Sequence, residues 1–263
     1  VTGLACRELA PGQPGGRLAV LAHGLEDSWE SWLPLAKQIS PQWRLVALDL
    51  PWRPGNDYQW RRRSSSALLA DALDLVGQRP DLIIAHSYGA NALLELLSIG
   101  DPRTSQAAAL ICPLYRPPEV AVTWKIFDRS RSAFEKHIKD SLLSRLSGRA
   151  ERIGADVVEN MIGKAIDRVG PAGFLAVFDQ FVSSAAVALG EISASVLVLA
   201  GGADPTLSPQ AATSLARRIP HASLLIDDEY DHFCYVQRPG EVADRIIRFA
   251  DALAPVPYQR SGP

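Results

Sequence analysis

Cysteine is scarce and badly spaced for cross-linking. The 263 residues contain three, Cys6, Cys112 and Cys234, an odd number far apart and without C-x-x-C spacing, which argues against a disulfide framework and a thiolate zinc site. No apolar run approaches the roughly 18 residues of a membrane span. A charge excess is also lacking: 27 basic against 29 acidic side chains leave a net charge of −2, with no electrostatic footprint for nucleic acid or an anionic membrane. The opening Val-Thr-Gly-Leu-Ala-Cys-Arg-Glu has no basic region followed by an apolar stretch, so it does not read as a signal peptide. A soluble protein of the reducing cytoplasm is expected. Lysine is rare as well, confined to Lys37, Lys125, Lys136, Lys139 and Lys164. That arginine bias, with abundant alanine, points to a GC-rich bacterial genome. No two histidines stand at i, i+4, and no carboxylates cluster around one, so no metal is expected.

A chain of 263 residues suits one α/β domain with an insertion. It is long enough to bury roughly 70–75% of its unfolded surface. Short apolar runs alternate with segments of helical period, the pattern of strands and crossover helices in a largely parallel sheet. The runs predict strands over Leu18 to Ala22, Arg44 to Leu48, Leu82 to Ala85, Ala107 to Cys112, Val196 to Ala200 and Ser223 to Ile226. Amphipathic stretches predict helices over Trp29 to Ile39, Ser65 to Val76, Tyr88 to Ile99, Pro209 to Ile219 and Pro239 to Leu253. Pro-Gly-Gln-Pro-Gly-Gly at 11 to 16 reads as the turn of an N-terminal hairpin.

This rhythm breaks between Pro113 and Gly190. Ala133 to Leu146, Ala155 to Val169 and Gly173 to Ala188 read as three helices without an intervening strand. Their surroundings are rich in apolar side chains (Trp124, Ile126, Phe127, Phe134, Ile138, Phe174, Phe178, Phe181), more than one solvated layer needs. A helical face packed on the sheet is the plain reading; a lid across the strand ends is the alternative. Residues 1–112 and 191–263 are then the core, and 113–190 an all-helical cap. The tail after Ala254 reads as disordered.

The strongest local signal is Leu82-Ile83-Ile84-Ala85-His86-Ser87-Tyr88-Gly89-Ala90-Asn91, an apolar strand running into a helix with serine at the turn. It resembles the nucleophile elbow of the α/β-hydrolases, G-x-S-x-G, written here A-H-S-Y-G with Ala85 in place of the first glycine. The resemblance implies a mostly parallel sheet flanked by helices, and a triad in the order serine, acid, histidine. A serine hydroxyl needs a base to take its proton, and the base needs an acid to hold its tautomer. Val196 to Pro205 is an apolar strand ending in Gly201-Gly202-Ala203-Asp204, which is similar to the family's acid position, with Asp128 as runner-up. Leu224 to Phe233 is a strand and loop carrying His232 where the family places its general base, preceded by Asp231 rather than the usual glycine. Leu18 to Leu25 is a strand ending in the His-Gly turn that resembles the oxyanion loop. By that resemblance the N–H groups of Leu25 and Tyr88 receive the oxyanion, and their side chains are placed to line an acyl pocket.

The remaining polar residues receive structural readings. His23 and His86 flank backbone turns, while His137 and His221 read as exposed helix and loop residues. Glu26 and Asp27 read as solvent-facing or as caps of the helix near Trp29; Asp227, Asp228 and Asp231 read as solvated loop charges. Asp49-Leu50-Pro51-Trp52 resembles a strand-end turn of the family and reads as structural. Arg61-Arg62-Arg63 is a solvated helix start that could instead meet the phosphate of coenzyme A or a carrier protein, a partner nothing else supports. The expected function is cleavage of a small carboxylic ester or thioester with a largely apolar acyl or alcohol group, by Ser87, His232 and Asp204 and without a cofactor. Serine at the elbow excludes the aspartate-nucleophile dehalogenases and epoxide hydrolases. Cyclisation or carbon–carbon cleavage in a biosynthetic pathway, and a receptor on the same fold, remain open.

Overall fold

The structure, a computed structural model, describes residues 3–146 and 152–253; the expected disordered tail after Ala254 lies outside them. In chain order the elements are β1 (Ala5–Ala10), β2 (Arg17–Ala22), α1 (Leu33–Ala36), β3 (Trp43–Asp49), α2 (Ser65–Asp74), β4 (Leu82–His86), α3 (Ser87–Ser98), β5 (Ala107–Ile111), α4 (Trp124–Leu146), α5 (Ala155–Ser183), β6 (Ser195–Gly201), α6 (Pro209–Arg218), β7 (Ala222–Asp227), α7 (Cys234–Gln237) and α8 (Pro239–Ala252). Among the described residues, seven strands form one sheet in the order β1-β3-β2-β4-β5-β6-β7. Only β1 is antiparallel to its neighbour.

The inner strands are apolar on both faces because helices cover both. Leu18, Val20 and Ala22 of β2 enter one core layer with Leu69 of α2 and Leu93 of α3. Ala19 and Leu21 enter the opposite layer with Trp32, Tyr235 and Ile246. The same alternation separates Ile83 and Ala85 from Leu82 and Ile84 in β4. Helix starts follow side-chain chemistry: the Ala67 N–H donates to Ser64 Oγ and the Ala211 N–H to Ser208 Oγ, each at 3.2 Å. Pro209 and Pro239 occupy first turns, where a missing N–H costs nothing.

The structure departs from two expectations. The turn at 11–16 does not close a hairpin, because β1 pairs with β3 and not with β2. The segment instead crosses the entry of β3. A Cβ on Gly12, at φ +68, would lie 2.7 Å from the Arg44 nitrogen, and one on Gly16 would lie 2.5 Å from the Gln42 carbonyl. Only glycine permits that crossing. The stretch from Trp29 to Ile39 is a 3-10 turn over Trp29–Trp32 followed by the single turn α1. Pro34 sits in its first turn, and Trp32 and Leu35 supply its buried face.

Helices α4 and α5 are inserted between β5 and β6. α4 begins at Trp124, earlier than expected. Within α5, Gly170 at φ 55 and ψ −164, followed by Pro171, breaks the run into the two helices expected from the sequence. The phenylalanines pack mainly on one another: Phe127 lies edge-on at 5.0 Å from both Phe174 and Phe178. No helix among the described residues is long and apolar enough to cross a membrane.

Candidate active site

The polar residues of interest gather at the carboxyl ends of β2, β4, β6 and β7, where open parallel sheets bind their ligands. β4 ends at His86 and α3 begins at Ser87 with no residue between them. Ser87 sits at φ +49, a left-handed conformation that costs a non-glycine residue about 1–2 kcal/mol. Packing holds it there. A Cβ on Gly89 would lie 2.5 Å from the His23 carbonyl oxygen, so only glycine lets α3 approach the end of β2 this closely. Ala85 is fully buried and small enough for the first glycine position. A Cβ on Gly24 would fall 3.2 Å from Ser87 Cβ, which puts the Gly24-Leu25 turn against the serine. The Tyr88 N–H lies in the first turn of α3, where amides have no intrahelical acceptor.

Three of the expected side chains form one hydrogen-bonded chain. His232 Nδ1 lies 3.0 Å from Asp204 Oδ2, and His232 Nε2 lies 2.9 Å from Ser87 Oγ. A carboxylate only accepts, so Nδ1 carries the proton and Nε2 is left free to accept from the serine hydroxyl. All three are buried. Burial acts to raise the Asp204 carboxyl, but the His232 ring, His137 and the Thr206 N–H at 2.8 Å outweigh it, and the group is held well below its ordinary 3.8. Asp231, where the family writes glycine, accepts from the Phe233 N–H and from Gln237 Nε2 and so turns the chain into α7.

The surrounding residues are scaffolding of a specific kind. His23 accepts from the Leu50 N–H at Nε2 and donates from Nδ1 to the Gly24 carbonyl, fixing both turns. His86 donates from Nε2 to the His232 carbonyl at 2.8 Å. Trp52 donates to the His23 carbonyl, and its own carbonyl accepts from the Glu26 N–H. The Tyr88 ring packs edge-on against Trp52 and Trp60 at 5.3 and 5.7 Å. In the arginine run, Arg61 pairs with Asp179 and Arg63 with Asp71, each at 2.7 Å.

Glu26 and Asp27 do not face solvent. Both are buried. Glu26, at φ +54, accepts from Asn56 Nδ2, Tyr58 Oη and Arg168 Nη2 at 2.9, 2.8 and 2.9 Å. Asp27 accepts from Tyr235 Oη at 2.6 Å and from the Ser28 N–H at 2.8 Å. Apart from the neighbouring Ser28 N–H, their partners come from distant segments, so adjacency to a helix start carries no sign of them.

The reading of His137 as an exposed helix residue is likewise wrong. Its ring stacks on His232 with centroids 4.0 Å apart and planes 11° apart, and Nε2 lies 2.9 Å from Thr206 Oγ1. Thr206 and Cys112 were also missed. Cys112, at φ +47 after β5, has its Sγ 3.7 Å from the Asp231 carbonyl. Hydrogen bonding with Cys234, then burial, pushes its thiol well above the ordinary 9.0. Asp128 is exposed on α4 and is not part of the hydrogen-bonded chain. Cys112, Asp204 and His232 place one donor each within 4.8 Å of one another. A cation there would have to compete with the His232–Asp204 hydrogen bond.

A cavity of about 440 Å³ opens beside Asp204. Phe134 of α4, Phe174 and Phe178 of α5, and Ala211 of α6 line it, with His137 and Thr206 at its polar end. Neither Leu25 nor Tyr88 is on its wall.

A model of the alpha/beta hydrolase family matches residues 19–245. The chain belongs to that family. Among curated relatives of this alpha/beta hydrolase, the (E)-2-((N-methylformamido)methylene)succinate hydrolase of Acinetobacter baylyi is 20% identical over 246 residues, 88% of this chain and 89% of that protein. Epoxide hydrolase 4 of Mus musculus is 29% identical over 93 residues, 34% of this chain but only 26% of that relative. The enol-lactonase of Burkholderia xenovorans superposes with a TM-score of 0.65 at 20% identity, covering 94% of this chain and 96% of that one. A Thermogutta terrifontis esterase with malate bound gives 0.62 at 17% identity, covering 95% and 93%. At such identities the solved structures share the fold with this alpha/beta hydrolase.

Proposed function

We propose that the protein is a serine hydrolase that cleaves a small carboxylic ester or thioester with a largely apolar acyl or alcohol group. The observation that carries this reading is the buried chain Asp204–His232–Ser87, with contacts of 3.0 and 2.9 Å, ending on a serine in a strained turn. Ser87 Oγ attacks the carbonyl carbon while its proton passes to His232 Nε2. The Leu25 and Tyr88 N–H groups receive the negative oxygen, each such donor contributing about 3–4 kcal/mol in comparable sites. Asp204 stabilises the imidazolium. His232 then protonates the leaving alcohol or thiol, and the same base activates water to release the acid.

The aromatic walls of the cavity and its volume, about 440 Å³, within the range of small-molecule sites, support an apolar group. The enol-lactonase and the esterase are named for opening or cleaving esters, which agrees with this reaction class. The test is stopped-flow turnover of p-nitrophenyl esters and acyl thioesters of increasing chain length. A burst of about one leaving group per protein, absent in Ser87→Ala, is expected. A folded protein giving neither burst nor turnover across the series would remove the ester reading in favour of specialised chemistry or a receptor.

A further inference from the structure

The His232 ring is enclosed by three aromatic neighbours. His86 lies at 4.8 Å and 57°, Phe233 at 5.3 Å and 87°, and His137 at 4.0 Å and 11°. The first belongs to β4 and the second is the next residue in the chain, so both are fixed by the core. His137 alone comes from the inserted helix α4, and it alone lies flat. Its side chain is only 12% exposed. The same residue also helps line the cavity beside Asp204, so it lies between that cavity and one face of the His232 ring.

Its polar edge is tied to the acid's own support. His137 Nε2 lies 2.9 Å from Thr206 Oγ1, the Thr206 N–H donates to Asp204 Oδ1 at 2.8 Å, and His137 Nε2 is 3.8 Å from that same Oδ1. Burial first, then His232 and Lys136, push the His137 ring well below the ordinary 6.5 against the opposing pull of Asp204. A neutral ring therefore covers His232, without a second cation beside the imidazolium that forms when the serine is deprotonated.

We propose that His137 is a positioning residue for the general base: stacked on His232 and tied to Thr206, it holds the imidazole in the line from Asp204 to Ser87 and makes the seating of α4 a condition of turnover. This rests on the serine-hydrolase reading. Without the ring, one face of His232 opens to the cavity, where water can bond to Asp204 and the imidazole can tilt. Small misplacements of a catalytic group are costly, up to about 100-fold for roughly 1 Å.

The test compares His137→Ala, which removes the ring, with His137→Phe, which keeps a flat ring and loses the hydrogen bond. Rates of Ser87 phosphonylation by a small fluorophosphonate, and kcat and KM for p-nitrophenyl butyrate, are measured on protein shown folded by circular dichroism. The alanine variant is expected to lose about tenfold or more in kcat and in labelling rate with KM changed less than about threefold. The phenylalanine variant is expected to recover most of both rates. If alanine does not fold, His137→Gln, polar but without the flat ring, replaces it with the same expected loss. Alanine retaining the wild-type labelling rate, or phenylalanine falling as far as alanine, overturns the proposal. Failure of wild-type protein to label at all instead overturns the serine-hydrolase reading beneath it.

Discussion

Arg168 of α5 donates to the buried carboxylate of Glu26 at 2.9 Å, and Glu26 is the residue that follows Leu25 on the turn beside Ser87. The insertion is thus anchored to the Gly24-Leu25 turn by a charge pair as well as to His232 by a stacked ring. Arg168→Met leaves Glu26 with Asn56 and Tyr58 as donors. One charge-assisted bond is lost, worth about 1–3 kcal/mol, with the half-exposed arginine favouring the low end. Urea unfolding should show a lower midpoint. Glu26→Gln placed in the Arg168→Met background should recover part of the loss, because it removes the unpaired buried charge; a double mutant losing the sum of both single effects would mean the pair is not coupled.

Stability should fall as the solution is acidified from pH 7. Burial first holds His23, His86 and His137 below their ordinary 6.5, so the unfolded chain binds protons that the folded protein refuses. Each contributes a slope approaching about 1.4 kcal/mol per pH unit below 6.5, down to its folded value. Asp204 adds in the same direction at lower pH: its folded value is depressed, so its contribution is complete above 3.8 and is lost as pH falls through the folded value. Denaturant midpoints at pH 7 and pH 5.5 check this. Equal midpoints would show that these imidazoles accept protons without unfolding.

Asp204→Asn should lower kcat by about 10⁴-fold, the loss typical when the orienting acid is replaced by an amide that permits the wrong tautomer. Asp128→Asn should leave kcat within about twofold, as expected for an exposed site away from the reacting groups. The reverse ranking would move the acid to α4.

Much of the fold and of the candidate site is legible in the sequence, for physical reasons. Ser87 announces itself because an apolar strand meets a helix at a small-residue turn, and Asp204 and His232 follow strands whose apolar runs are too short for helices. His137 was not readable. It sits on a helix flanked by Lys136 and Lys139, a pattern that looks solvated until the insertion docks on the strand ends. The same limit applies to β1, where the glycines at 12 and 16 mark a turn but not the strand it crosses, and to Glu26, whose partners come from distant segments.

The cavity predicts chain-length selectivity. Ala133 of α4 lies on its wall, and Ala133→Trp should exclude part of a long acyl chain. Each methylene left in water costs up to about 0.8 kcal/mol, so KM should rise progressively from butyrate to longer p-nitrophenyl esters while butyrate changes little. A uniform change across the series would place the acyl chain elsewhere.

The proposed reaction requires Ser87 to be an activated nucleophile. Incubation with a fluorophosphonate, followed by peptide mass spectrometry, locates any covalent adduct. A single adduct on Ser87 is predicted, absent in Ser87→Ala and slowed by orders of magnitude in His232→Ala. Folded wild-type protein that stays unmodified, or carries the adduct on another residue while Ser87 remains free, would contradict it.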